Sequence, residues 1–373
     1  IHFNYSFSDE FWNSYIKFKK SKLNAKDFKS EQYFIISRNL LRNDWMIAYL
    51  FGCSPAVCKS YLSGKKTQLE SFDQHTYYEK NATSLRMGDI GYQNNLEEDM
   101  GVHIDYNSLK KYTASLTKAI KKPSSEYKKI GVFSDGYYKQ INENILQIEN
   151  EYYSSVRPKP DPSFTCRPSK GLLKGGVNYI ELRSIDNNIY TNTGIDLEQM
   201  YFVELLIIHS LIQKNDEISD KEYFEIKSNL TIVAHNGRDK NCTLKVNGKN
   251  TLLISSLEKN LEELKKIASL MYKITGDKNY KETIGKQIMK LKDNTKLPSN
   301  IVIDSMTRNK LSFYEYCMKN IECQKKYFSN LDINADIMNK LEGEIKNSLK
   351  KREDLEVDQD ESYEMYIKNY FKD

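Results

Sequence analysis

The 373 residues suit two or three ordinary domains or one large one. With 39% apolar and 29% charged residues the chain can bury a core, which excludes global disorder, and 16 Gly and 7 Pro exclude a linker-rich or collagen-like architecture. The net charge of +5 is spread among 51 acidic residues; the densest basic run, Lys17, Lys19, Lys20 and Lys22, reads as a solvated face rather than a nucleic-acid footprint.

Residues 1–7, IHFNYSF, alternate strictly, with Ile1, Phe3, Tyr5 and Phe7 on one face and His2, Asn4 and Ser6 on the other, so a half-buried strand is predicted. The chain starts Ile-His-Phe-Asn, without Met and already inside this pattern, and an N-terminal part is therefore expected to be missing. Residues 8–50 read as helices, the first capped by Ser8 and the second running from Glu31 to Tyr49. A turn at 51–55 and a loop-rich region at 57–103 follow, then a helix over about 106–121 stopped by Pro123. Gln140 to Ile148 and the segment around Glu149 to Val156 read as strands, and Pro158, Pro160, Pro162 and Pro168 mark a long loop. In 177–184 alternation returns, placing Val177, Tyr179, Glu181 and Arg183 on one face and Asn178, Ile180, Leu182 and Ser184 on the other. Asp196 caps a buried helix reaching about 213, residues 231–255 are read as a hairpin with turn signals at 236–238 and Asn247-Gly248, and the remainder is helical.

The familiar phosphate-binding and metal motifs are absent: no GxxxxGK[ST], GxGxxG, HExxH, paired CxxC or GxSxG occurs. The six cysteines are read as reduced, cytoplasmic thiols. The most apolar stretch, Met200 to Ile208, is too short to cross a bilayer and contains Glu204.

Three features suggest chemistry. Glu181 and Arg183, two residues apart on one strand face, could hold a metal and a phosphate side by side; an ion pair on a solvated sheet face is the alternative, and such pairs are common. His2, on the polar face of the first strand, is a possible metal ligand or a hydrogen-bonded structural residue. Arg86 and Tyr92 flank a Gly-containing loop, and Tyr153 precedes Arg157; Arg and Tyr on loops read carboxylates, or are simply surface residues.

Four strings carry a resemblance: RNLLRNDWMIAYLFGCSPAVC (38–58), YYEKNATSLRMGDIGYQN (77–94), PSSEYKKIGVFSDGYYKQINENILQIENEYY (123–153) and KGGVNYIELRSIDNN (174–188). In order and spacing they resemble the glutamate–cysteine ligases of proteobacteria, strongly to about residue 213 and weakly beyond. The resemblance implies an α+β, glutamine-synthetase-like fold: a curved, mostly antiparallel sheet with outer helices, a catalytic core over 1–214 and a mainly helical C-terminal region over 215–373. It implies ligation of the γ-carboxylate of L-glutamate to the amine of L-cysteine through γ-glutamyl phosphate, with ATP as co-substrate and two or three Mg²⁺ ions.

By the same resemblance His2 and Glu181 are metal ligands, Arg183 is the catalytic contact to the transferring phosphoryl group, and Arg86, Tyr92 and Tyr153 bind the cysteine substrate. Arg157 and Ser54-Pro55 lie near the site without an assigned role. Asn236 departs from the Glu-Gly-Arg of the family. One Glu and one His cannot hold a multi-magnesium cluster, since Mg²⁺ prefers octahedral oxygen coordination. Further ligands are thus expected in the missing N-terminal part, and the fragment alone is expected to be inactive. A related ligase joining glutamate to another amine is the alternative; small-molecule substrates, with no nucleic acid and no membrane, are the expected partners.

Overall fold

The computed structural model describes residues 1–91, 103–164, 166–357 and 362–372. The architecture is α+β, as expected, with helices predominating. The central sheet is antiparallel and three-stranded: β1 (Phe3–Tyr5), β2 (Val156–Lys159) and β3 (Tyr179–Leu182), with β3 in the middle. The register pairs Asn4 with Glu181 and Arg157 with Glu181, so the polar residues of all three strands share one face. Ile180, Leu182 and Val156, on the other face, are fully buried. A one-residue slip would exchange these faces, and the apolar half of the alternation therefore fixes which side chains line the site.

Behind the sheet lie α1 (Asp9–Phe18), α2 (Ala25–Asn43) and α3 (Trp45–Phe51), followed later in the chain by α4 (Leu197–Ile212), α5 (Asp220–Asn236), α6 (Leu253–Thr275) and α7 (Asn279–Lys292). Ser8 caps α1, its hydroxyl accepting from the Phe11 amide at 3.2 Å. The apolar residues of α2 and α3 leave no continuous polar face, and Tyr33, Phe34, Ile36, Leu40, Met46 and Leu50 are all buried. Helix α4 has Phe202, Val203, Leu205, Leu206 and Ile207 in the same core, as a helix apolar on nearly every side must. Its start is fixed by a capping box in which Asp196 accepts from the Gln199 amide at 2.7 Å and Gln199 Oε1 from the Asp196 amide at 3.1 Å. The core cluster continues through α5, α6 and α7 to Leu297. Five further helices lie beyond α7, counting a three-residue 3₁₀ turn at 294–296: 298–309, 313–329, 335–357 and 363–371 complete the described chain. None of the described helices is long and apolar enough to cross a membrane.

Several predicted elements differ, among them the long loop marked by proline: Pro158 lies within β2 and Pro168 opens a helix over 168–175. The second helix is two, broken at Asp44, and begins at Ala25 rather than Glu31. The strands predicted over 140–156 do not form. Gln147 Oε1 accepts from the amides of Ile141 (2.8 Å) and Asn142 (3.1 Å), and Asn142 Oδ1 from the amide of Asn144 (2.7 Å), so side chains occupy the amides that a ladder would need. Residues 149–151 form a 3₁₀ turn, and the strand starts only at Val156. The 243–252 hairpin is present, with Asn247 and Gly248 at φ 52° and 77°, the left-handed geometry its two-residue turn requires. The turn signal at 236–238 instead ends helix α5. The loop-rich region contains a small sheet of 56–58, 76–78 and 70–71, whose two- and three-residue strands are too short to show a period.

Candidate active site

Strand β3 presents Glu181 upward between β1 and β2. His2 Nδ1 stands 3.3 Å from Glu181 Oε1 and Lys159 Nζ 3.8 Å from Oε2. Glu181 is only 8% exposed, and its Oε2 has no hydrogen-bond partner among the described residues. Burial lowers the pKa of His2, and the neighbouring Arg183 lowers it further, more than Glu181 raises it. The imidazole is therefore neutral at pH 7, the form with a free lone pair. Burial and the like charge of Arg157 also depress the pKa of Arg183 without discharging it. The guanidinium carbons of Arg183 and Arg157 lie 4.9 and 5.9 Å from the centre of the Tyr153 ring, so one aromatic ring supports both cations. Arg157, Lys159 and Arg183 against one carboxylate leave this ledge net positive, suited to a polyanion.

Beside the ledge opens a cavity of about 300 Å³, lined among others by His2, Asp44, Arg86, Tyr153, Ser155 and Arg183. Arg86 reaches it from the 85–87 turn and is held from behind. Its Nε donates to Asp186 Oδ1 at 2.7 Å and its Nη2 to the Arg183 carbonyl at 3.1 Å. Asp186 is 3% exposed and also accepts from Ser84 Oγ (2.9 Å), Ser54 Oγ (2.8 Å) and the Cys53 amide (2.8 Å). One buried carboxylate thus ties together the turn after α3, the Arg86 turn and the end of β3.

The glutamate-cysteine ligase family model matches residues 1–233. The glutamate–cysteine ligase of Alcanivorax borkumensis is 34% identical over 379 residues, covering 100% of this chain and 72% of that protein. The chain belongs to the glutamate–cysteine ligase family. Among solved structures, the glutamate–cysteine ligase of Francisella tularensis in complex with AMP superposes with a TM-score of 0.90 at 28% identity, covering 99% of this chain and 72% of that one. A bifunctional glutathione synthetase from Pasteurella multocida (TM-score 0.65, 19% identity, 88% of this chain and 36% of that one) shares the fold. This glutamate–cysteine ligase family member is thus an enzyme of the ligase class, and the family's reaction, joining glutamate to cysteine, belongs to glutathione synthesis.

The residues singled out in the sequence come together in part. His2, Arg86, Tyr153 and Arg183 line the one cavity, and Glu181 lies against His2 at its edge. Tyr92 lies outside the described residues. Among the described residues no group of three or more His, Cys, Asp or Glu could hold a metal ion. Three residues escaped the sequence reading, the first being Lys159, which falls in the stretch read as a proline-marked loop. Asp186 stands three positions after Arg183 in a string already singled out, but nothing in the string marks it as the anchor for Arg86. Asp44 lies at the break between α2 and α3, where a continuous helix was predicted.

Proposed function

We propose that the chain uses ATP to join the γ-carboxylate of L-glutamate to the amine of L-cysteine through γ-glutamyl phosphate. The observation that carries this reading is the anchored Arg86 in one cavity with Arg183, directly beside the Glu181–His2 edge. Such a site has a cationic ledge for phosphate next to a pocket for an amino-acid carboxylate. The AMP bound by the Francisella relative supports an adenine nucleotide as the phosphoryl donor.

In the first step a γ-carboxylate oxygen of glutamate attacks the γ-phosphorus, the bond to the β-bridging oxygen breaks and ADP leaves. Arg183, with Arg157 and Lys159 behind it, is placed to offset the charge on the transferring group. In the second, the cysteine nitrogen attacks the acyl carbon, the bond to the phosphate oxygen breaks, phosphate leaves and the nitrogen loses a proton. Arg86 and Tyr153 hold the cysteine carboxylate meanwhile. Glu181 fits magnesium, which takes oxygen ligands from one or two carboxylates and completes its shell with phosphates and water, and neutral His2 offers a nitrogen beside it. An ion held there would neutralise phosphate charge.

The test compares cysteine with cysteamine, which lacks the carboxylate, in an assay of ATP-dependent amide formation. Arg86→Ala is expected to lower kcat/KM for cysteine by about 2–3 kcal/mol, roughly 30- to 150-fold, and to leave cysteamine, a poor substrate throughout, nearly unchanged. Equal losses for both would show that Arg86 does not read the carboxylate.

A further inference from the structure

Asp44 is the most deeply buried charged side chain at the cavity. It ends α2 and starts α3, is 1% exposed, and lines the same cavity as Arg86, Tyr153 and Arg183. Ser155 Oγ donates to its Oδ2, and Ser155 also accepts the Arg183 amide at 2.7 Å, so the carboxylate is tied to the segment that places the catalytic arginine. Its Oδ1 has no hydrogen bond of ordinary geometry among the described residues. A buried carboxylate oxygen without a donor is costly and is retained where a ligand supplies the donor.

What donor fits follows from the neighbours. The cavity offers guanidinium groups for an anion, and Asp44 is the acidic residue among those lining it. An amino acid is an anion and a cation separated by one carbon, and this cavity presents the complementary pair. We propose that Asp44 is the counter-ion for the amine of the acceptor amino acid, a specificity-determining residue that, with Arg86 in the same cavity, selects a free α-amino acid over a simple thiol or acid. The inference rests on the acceptor-pocket reading above and extends it to the nitrogen that becomes the amide. Burial pushes the Asp44 carboxyl up to about 7, against the Ser155 hydroxyl and the amides of Trp45 and Asp44 itself, which pull it down. An arriving ammonium favours the ionised form and completes the pair.

The test measures binding to the chain by calorimetry or competition with four probes: cysteine, 2-aminobutyrate (no thiol), cysteamine (no carboxylate) and 3-mercaptopropionate (no amine). Asp44→Asn keeps the shape and removes the charge. It is expected to weaken the three amine-bearing probes by roughly 10-fold or more and to leave 3-mercaptopropionate within about twofold, as loss of a charge-assisted bond would. Ser155→Ala, which leaves the carboxylate in place, is expected to preserve the wild-type ranking of the four. Equal weakening of all four probes would make Asp44 merely structural. Weakening of cysteine, cysteamine and 3-mercaptopropionate but not 2-aminobutyrate would assign it to the thiol and overturn the proposal. Undiminished cysteine binding by Asp44→Asn refutes this inference alone, whereas a wild-type chain that binds neither cysteine nor 2-aminobutyrate refutes the acceptor pocket with it.

Discussion

Replacing Asp186 separates what the buried carboxylate does for the fold from what it does for Arg86. In Asp186→Ala four donors lose their acceptor, but at unequal cost. Ser54 and Ser84 Oγ already lie 3.3 Å apart and can bond each other. The Arg86 side chain is 32% exposed and can turn to water. The Cys53 amide is buried and has nowhere to turn; an orphaned buried N–H costs about 1–3 kcal/mol, and the small cavity adds about 1 more. A loss of about 3 kcal/mol is therefore expected, below the sum of four charge-assisted bonds. Asp186→Asn should behave differently. One position becomes an NH₂, which must face either the Cys53 amide at Oδ2 or Arg86 Nε at Oδ1. The oxygen is expected to stay with Cys53, whose amide cannot move, and the NH₂ to displace the guanidinium. Stability should fall by only about 1–2 kcal/mol, while cysteine binding falls roughly 10- to 100-fold because Arg86 is no longer aimed. Urea denaturation midpoints and calorimetric titration with cysteine measure the two quantities. If the Asn variant is as unstable as the Ala variant, or binds cysteine within threefold of wild type, Asp186 does not position Arg86.

Other outcomes follow from the same geometry. Glu181→Gln, which removes the ligand charge, and Arg183→Lys, which removes the planar fork, should each lower kcat by about 10²-fold or more; a fall under threefold in both would make the strand pair structural. Asp44 has a folded-state pKa of about 7 against an ordinary 3.8, so its contribution favours the fold at low pH and is lost as pH rises between those values, by about 4 kcal/mol in all. Thermal melts of Asp44→Asn should lack that part of the decline, and identical pH profiles would show that the carboxyl titrates normally. His235 bridges Glu79 at 2.7 Å and Asp89 at 2.9 Å; burial opposes its charge, but the bond and charge of Glu79, then Asp89, raise its pKa above the ordinary value. This clasp stabilises the protein below the ordinary imidazole pKa and weakens as pH rises above it. Amide exchange in residues 85–91 should therefore accelerate with pH more in wild type than in His235→Gln, and equal profiles would count against the clasp.

The sequence revealed the parts of the site that lie on regular strands. Alternation alone put His2 opposite the core-facing Phe3 and set Glu181 and Arg183 on one face, because a period of two leaves no third direction. It could not choose between an ion pair and a binding ledge, since that depends on Lys159 and Arg157 from a strand about twenty residues away. The residues around the turns were harder to read. Ile141, Ile145 and Ile148 look like strand residues, yet the Asn and Gln side chains between them capture the local amides. Asp44 sits in an apolar run whose helical period is unbroken in sequence, and even at the junction of α2 and α3 its backbone stays in the right-handed helical region (φ −65°, ψ −22°), so no local signal marks it.

Charge is divided unevenly across the proposed site. The cations of the ledge, Arg157, Lys159 and Arg183, lie over the Tyr153 ring or beside Glu181. The acid in the cavity is the buried Asp44, whose burial disfavours its charge and which an approaching cation would favour in the ionised form. In the proposed reading phosphate meets charges already in place, whereas the amine completes its own pair. In that reading a carboxylate whose charge burial disfavours places less fixed negative charge beside the phosphorylated intermediate, and the ammonium it pairs with gives up a proton before the nitrogen attacks the acyl carbon. A permanently ionised group at position 44 would attract the amine more strongly and repel the acyl phosphate at the same time, which gives burial of that carboxyl a chemical consequence beyond its cost to stability.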